Sequence, residues 1–290
     1  MRLSRLGVLT LILLTVLVGA NCSFYNQVLA RKDLVDGGKA YKDRKFQEAE
    51  ELFRSAIARD PQGQTKEGKT AQLFLARTLH SEYIGNRSNS GKAEDAIKEY
   101  KRVLAEDVKD QSSFNAVANL LENLNRDDEW LKWVTERTNN EQVPPEQRAE
   151  ALTKLTAKKY SCANEISDTA AVKKTVKGKD GKDVFQFSKP ENPQDLENLR
   201  RCAQEGTELI NRAEKLDTNN DAVWSYKANM LVQQMRLAEM EGNTQQREAL
   251  KVDAEKAKER FTELSRIRRE KEEAIEAEKK AKEAEAANKK

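Results

Sequence analysis

The stretch "GGKAYKDRKFQEAEELFRSAIARDP", residues 37 to 61, constrains the fold more than any other part of the chain. Ala49, Leu52, Phe53, Ala56 and Ile57 fall at i, i+3, i+4, i+7 and i+8, the apolar stripe of an amphipathic α-helix. Asp60 and Pro61 end that helix, Gly37 to Tyr41 close an earlier one, and "KDRKF" is the short turn between them. Small Ala49 and Ala56 let a second helix approach closely, while Phe46 and Phe53 fill the space between the two. The expectation is an antiparallel helix pair.

The same small, large, small pattern recurs. Ala96, Tyr100 and Val103 stand 47 residues after Ala49, Phe53 and Ala56; Gly206, Ile210 and Ala213 stand 157 after; Ala257, Phe261 and Leu264 stand 208 after. Gly37, Phe46, Ala49, Phe53, Ala56 and Pro61 also match signature positions of the tetratricopeptide repeat, and on these residues the chain resembles that family. The resemblance implies an all-α solenoid of about five helix pairs over residues 30–268, each pair built on a 34-residue unit. The offsets are not multiples of 34, so insertions are expected. "IGNRSNSG" lengthens the second unit, "SSFNAVANLLENLN" and "RDDEWLKWVTER" read as a divergent third pair, and "DAVWSYKANML" opens a fifth.

The longest insertion is 167–192. Its "TVKGKDGKDVFQF" sets Asp180 and Gly181 between apolar runs, the signal of a small β-hairpin. Cys162 lies late in the helix before it and Cys202 within the helix after it, so antiparallel packing brings the two thiols to one level and predicts a disulfide. The absence of CxxC argues against redox catalysis. Past Ile267 the pattern dissolves into "RREKEEAIEAEKKAKEAEAANKK", so residues 269–290 read as a charged, solvated helical tail; a tether or coiled-coil arm is the alternative, without a sustained seam to support it.

The chain opens with "MRLSR", then "LGVLTLILLTVLVGA": a short basic region, an apolar run and small residues, the pattern of an export signal over residues 1–21. Residues 6–20 are short for a membrane span, although an uncleaved anchor stays open. Cleavage before Cys22 makes that thiol a lipid-attachment site, as in bacterial lipoproteins; cleavage after Ala20 leaves an unlipidated chain. Both stay open, residues 22–29 read as a linker, and either outcome places the protein in a periplasmic or membrane-attached compartment. With lipid on Cys22, the remaining cysteines form an even pair.

Fifty-two basic and 49 acidic side chains are interleaved along the sequence, which argues against nucleic acid as partner. His80 is the sole histidine, and no phosphate loop, dinucleotide fingerprint or HExxH motif occurs, so no cofactor, metal or catalytic residue is expected. Binding is the leading class. The resemblance implies a concave surface lined by the first helix of each pair, which holds protein or peptide partners. Aligning the units places Leu34, Gly38, Tyr41 and Lys42 on it in the first repeat and Ser225, Asn229 and Gln233 in the fifth. The expected function is a non-enzymatic scaffold of the bacterial cell envelope. Similar lipoproteins assist outer-membrane protein insertion or pilus assembly, and no residue here selects either.

Overall fold

A computed structural model describes residues 24–178 and 180–288. The export-signal segment, Cys22, Lys179 and the last two residues of the tail lie outside the described residues. The chain divides into two compact units, one ending at Trp130 and the other starting at Leu131. Among the described residues, no helix is long and apolar enough to cross a membrane.

The first unit comprises α1 (24–42), α2 (Phe46–Ala58), α3 (Lys66–Gly85), α4 (Ser90–Glu106), α5 (Gln111–Asn123) and the first turn of α6 (Asp127–Asn139). The pairs α1 with α2 and α3 with α4 are the helix hairpins expected from the repeat. Ala49, Phe53 and Ala56 of α2 are fully buried, as are Ala71, Leu75 and Leu79 of α3 and Ala93 and Ala96 of α4. Helix α1 approaches α2 at Gly37, where an added Cβ would lie 2.7 Å from Phe53 Cε1. Only a residue without a side chain fits there. Helix α1 is described from residue 24, and residues 24–29 are helical where the sequence reading expects a linker over 22–29. Ala30 is buried, and the turns before it continue its helix although Phe24, Tyr25 and Val28 stay exposed.

Polar side chains close the hairpins. Asp60 accepts hydrogen bonds from the backbone N–H of Gln64 (3.1 Å) and Thr65 (2.8 Å) and from the Thr65 hydroxyl (2.7 Å). Thr65 Oγ1 accepts from the Gly68 N–H at 3.0 Å and so caps α3. Burial raises the Asp60 carboxyl pKa, but hydrogen bonds from the Thr65 hydroxyl, the Thr65 N–H and the Gln64 N–H outweigh it and hold it below the ordinary value. Between α1 and α2, Asp33 accepts from Ser55 Oγ at 2.7 Å and Arg59 Nε at 2.9 Å. Lys92 of α4 joins Glu50 of α2 to Glu82 of α3.

The second unit comprises the rest of α6, then α7 (Pro145–Ser167), strands β1 (Lys173–Lys177) and β2 (Asp183–Phe187), α8 (Pro193–Leu216), α9 (Asp221–Met240) and α10 (Thr244–Asn288). The strands pair antiparallel with Val176 opposite Val184, and Gly181 at φ +77° turns the chain between them, as the Asp-Gly signal implied. Helices α7, α8 and α9 enclose Leu152, Ile210, Val223 and Met230. A Cβ on Gly206 would lie 2.6 Å from Met230 Cε, the same close approach as at Gly37. Cys162 and Cys202 are joined, with Cα atoms 6.1 Å apart, beside a second cluster containing Ala163, Val172, Leu199 and Met240.

Helix α10 packs along α9 as far as the start of that helix, where Ser265 Oγ (2.9 Å) and Arg268 Nε (3.1 Å) donate to Asp221. It then runs on, fully exposed, to residue 285 without a break. From residue 269 to 285 it is the charged, exposed helical tail expected from sequence, continuous with the last repeat helix. Ion pairs at i,i+4 such as Glu276 with Lys280 and Glu278 with Lys282 support it in place of packing.

Two outcomes follow. Asp60→Ala orphans three donors and lowers the stability of the first unit by about 1–3 kcal/mol in chemical denaturation. Because the folded-state pKa lies below the ordinary 3.8, Asp60 stabilises above that value and loses its contribution as the pH falls through the folded-state pKa; the variant loses that part of the acid limb. Replacing both Cys162 and Cys202 by Ala frees a loop of 40 residues and destabilises the second unit by roughly 2–4 kcal/mol, read as a lowered denaturation midpoint under oxidising conditions.

Candidate functional site

In the first unit, the end of α1 and the outward side of α3 form an open cleft of about 460 Å³, lined by Tyr41, Arg44, Phe46, Arg77, His80, Ser81, Ile84, Gly85 and Tyr100. Helix α3 divides its side chains between two faces. Ala71, Leu75, Leu79 and Tyr83 point into the core, while Phe74, Arg77, Ser81 and Ile84 occupy the other side at spacings of three and four. The tight turn after α1 places Arg44 at φ 59°, its N–H bonded to the Tyr41 carbonyl, so that its side chain flanks the cleft.

Tyr41 is fixed from three sides. Its ring meets Phe46 (5.6 Å between centroids) and Phe74 (6.0 Å) edge-on. Its hydroxyl lies 3.2 Å from Ser81 Oγ. Ser81 donates its own hydrogen to the Arg77 carbonyl at 2.9 Å, so the Tyr41 O–H is the donor in the first bond. Opposite it, His80 and Tyr100 meet edge to face at 5.9 Å, with Nδ1 3.4 Å from the phenol oxygen. Burial, then the Arg87 charge, hold the His80 imidazole below its ordinary pKa, and burial raises that of the Tyr100 phenol. Both rings are therefore neutral near pH 7, and the His80 tautomer sets which of the two donates.

The remaining charge in the cleft is cationic. The Arg77 guanidinium sits 5.4 Å from the centre of the Phe74 ring, Arg44 also lines the cleft, and among the described residues no carboxylate does. Apolar rings, a hydroxyl pair and two guanidinium groups line one surface, so it can meet an acidic group and an apolar one together. Among the described residues, no group of three or more His, Cys, Asp and Glu side chains converges to hold a metal.

The residues singled out from sequence fare differently. Tyr41 lines the cleft, while Lys42 is exposed and is not among the lining residues. In the second unit Ser225 and Asn229 are half-buried on α9. Gln233 does not belong to an open surface: it is fully buried, accepts from Ser167 Oγ at 2.8 Å and donates to Asn164 Oδ1 at 3.1 Å. Asn164 and Ser167 both lie in the last turns of the 23-residue helix α7, which covers this part of α9. Arg236 joins the same network through Asn164 (3.1 Å) and Ser167 (2.8 Å) and stacks on Phe187 of β2 at 4.8 Å, docking the hairpin. Arg44 and Arg77 escaped the sequence reading, which took Tyr100 only as a packing residue of the second repeat. The alternation of Phe74, Arg77, Ser81 and Ile84 with the core positions of α3 was the available signal.

No protein-family model and no curated protein sequence matches the chain. Among solved structures it is similar to PilF of Pseudomonas aeruginosa, at 12% identity over 83% of this chain and 99% of that one, with a TM-score of 0.38. It is also similar to MamA of Desulfovibrio magneticus RS-1 (12% identity, 83% and 96% covered, TM-score 0.34) and to a tetratricopeptide repeat protein of Parabacteroides merdae (12%, 81% and 97%, TM-score 0.34). Overlays this loose transfer no role. The tetratricopeptide-type fold is seen in the chain's own helix pairs, with Gly37, Ala49, Phe53 and Ala56 at the packed positions.

The depressed His80 pKa gives a signed pH effect. The folded unit resists protonation at His80, so stability falls as the pH drops through and below the ordinary 6.5. His80→Gln removes that slope while carboxylate-linked losses at lower pH persist, as thermal denaturation between neutral and mildly acidic pH will record.

Proposed function

We propose that this protein is a non-enzymatic interaction scaffold of the bacterial cell envelope, exported by its N-terminal signal and attached to a membrane through lipid on Cys22. The observation that supports the binding role most directly is the cleft of the first unit, where Tyr41, Phe46, His80 and Ile84 present apolar surface beside Arg44 and Arg77, with no carboxylate among the described lining residues. A partner segment with an acidic side chain flanked by an apolar one satisfies both features at once. The apolar run before Cys22 and the disulfide of the second unit support an oxidising compartment outside the cytoplasm.

The cleft is tested in the intact chain by placing a photo-crosslinking amino acid at Ile84 in cells that express it. A discrete crosslinked protein is expected, and the double substitution Arg44→Glu and Arg77→Glu reduces its yield at least tenfold while the thermal midpoint stays within a few degrees. An undiminished crosslink in that variant would remove the cleft as the binding site. Attachment is tested separately, by the intact mass of the membrane-fraction protein: a chain starting at Cys22 with added acyl mass is the expected result.

A further inference from the structure

Helix α1 carries a face that the cleft does not use. Phe24, Val28, Arg31, Val35, Lys39 and Lys42 follow one another at spacings of four, three, four, four and three, averaging the helical repeat. The stripe therefore runs parallel to the helix axis, and a single plane can touch all of it. Its apolar members are open to solvent: Phe24 is 70% exposed, Val28 50% and Val35 62%, with Tyr25 at 63% on the flank. Arg31, Lys39 and Lys42 are exposed and have no carboxylate partner among the described residues. Lys32, beside the stripe, pairs with Asp36 at 3.3 Å, and that carboxylate lies on the flank away from the stripe. On the other flank Gln27 donates to Glu67 of α3. No acidic residue interrupts the stripe itself.

We infer that this face of α1 lies flat on an anionic lipid surface. The inference rests on the reading that the chain is attached through Cys22. Phe24 is two residues past that cysteine, which at full extension limits their separation to roughly 7 Å. The first described residue of α1 is Phe24. That short separation from the attached cysteine holds this end of α1 close to the headgroup layer, and the direction of the helix decides whether the first unit rises from the membrane or rests on it. Aromatic and aliphatic side chains interleaved with unpaired cations along one line fit the second arrangement: the rings and valines enter the boundary of the acyl region while Arg31, Lys39 and Lys42 meet lipid phosphates. Tyr41 lies to the side of the stripe, so the cleft stays open to a partner that approaches along the membrane.

The test uses the full mature chain purified from membranes and reconstituted into vesicles of phosphatidylcholine with or without phosphatidylglycerol. An environment-sensitive fluorophore is placed on Val35→Cys or, as a control on exposed α2, on Glu51→Cys. Severalfold stronger quenching by quencher-bearing lipid at position 35 than at position 51, greater in anionic vesicles, is expected. Arg31→Glu with Lys39→Glu lowers the preference for anionic vesicles about tenfold or more without releasing the protein. Equal quenching at the two positions in protein that remains vesicle-bound would overturn the inference and leave attachment standing. If the mass shows no acyl group on Cys22, attachment fails, and the same comparison still decides the face: excess quenching at position 35 supports it and equal quenching overturns it. A probe at 35 that is shielded without lipid quenching, in protein whose solution mass doubles, would assign the face to a second copy and overturn the inference.

Discussion

The seating of large side chains against glycines on neighbouring helices is what the rest of the structure depends on. At Gly37 and at Gly206 the helix comes so near its neighbour that a Cβ would stand 2.7 Å from Phe53 and 2.6 Å from Met230. Each of those large side chains fills the space a missing side chain left, and a well-packed interior gives little room for alternatives. With that approach fixed, the buried alanines of α2 and α4 set the depth of each hairpin. The outward side chains of α3, among them Arg77 and Ser81, then reach the level of Tyr41. The cleft is thus a by-product of core packing on the opposite side of the same helix.

The second unit is held differently around its insertion. An isolated two-stranded hairpin is marginal in water, and here Val184 and Phe185 remain exposed. What fixes it lies at its base: Phe187 donates its N–H to Glu239 and receives the Arg236 guanidinium on its ring, Lys173 pairs with Asp168, and the disulfide closes the helices on either side. The hydrogen bond from Lys173 holds the Asp168 carboxyl below its ordinary pKa against some burial, and the charges of Lys173 and Arg236 add to this. Gln233 belongs to this base, since its amide spends its capacity on Asn164 and Ser167.

Most of the helix pairs and the hairpin could be read in the sequence because their signals are local. Ala49, Phe53 and Ala56 share a face by spacing alone, and Asp180-Gly181 dictates its turn by backbone conformation. Asp60 could be read as a stop but not as the acceptor for Thr65 and Gln64, which depends on where the next helix starts. Of the partner-binding residues named from sequence, only Tyr41 lies in the cleft. His80, Arg77 and Tyr100 come from two helices, and their meeting depends on how those helices rotate about their axes on packing, which no single periodicity encodes. Gln233 failed for a related reason: repeat alignment assumes equal neighbours, and α7 is longer than the pattern supposes.

The continuity of α10 has a mechanical consequence. No residue breaks the helix between Asp221's partners Ser265 and Arg268 and the last charged turns, so the roughly 30 Å that extend past α9 continue the direction of the packed half. A helix backed by i,i+4 ion pairs bends far less than a coil of the same length. A sideways load applied near residue 285 is therefore passed to the contacts where α10 leaves α9, among them the hydrogen bonds of Ser265 and Arg268 to Asp221.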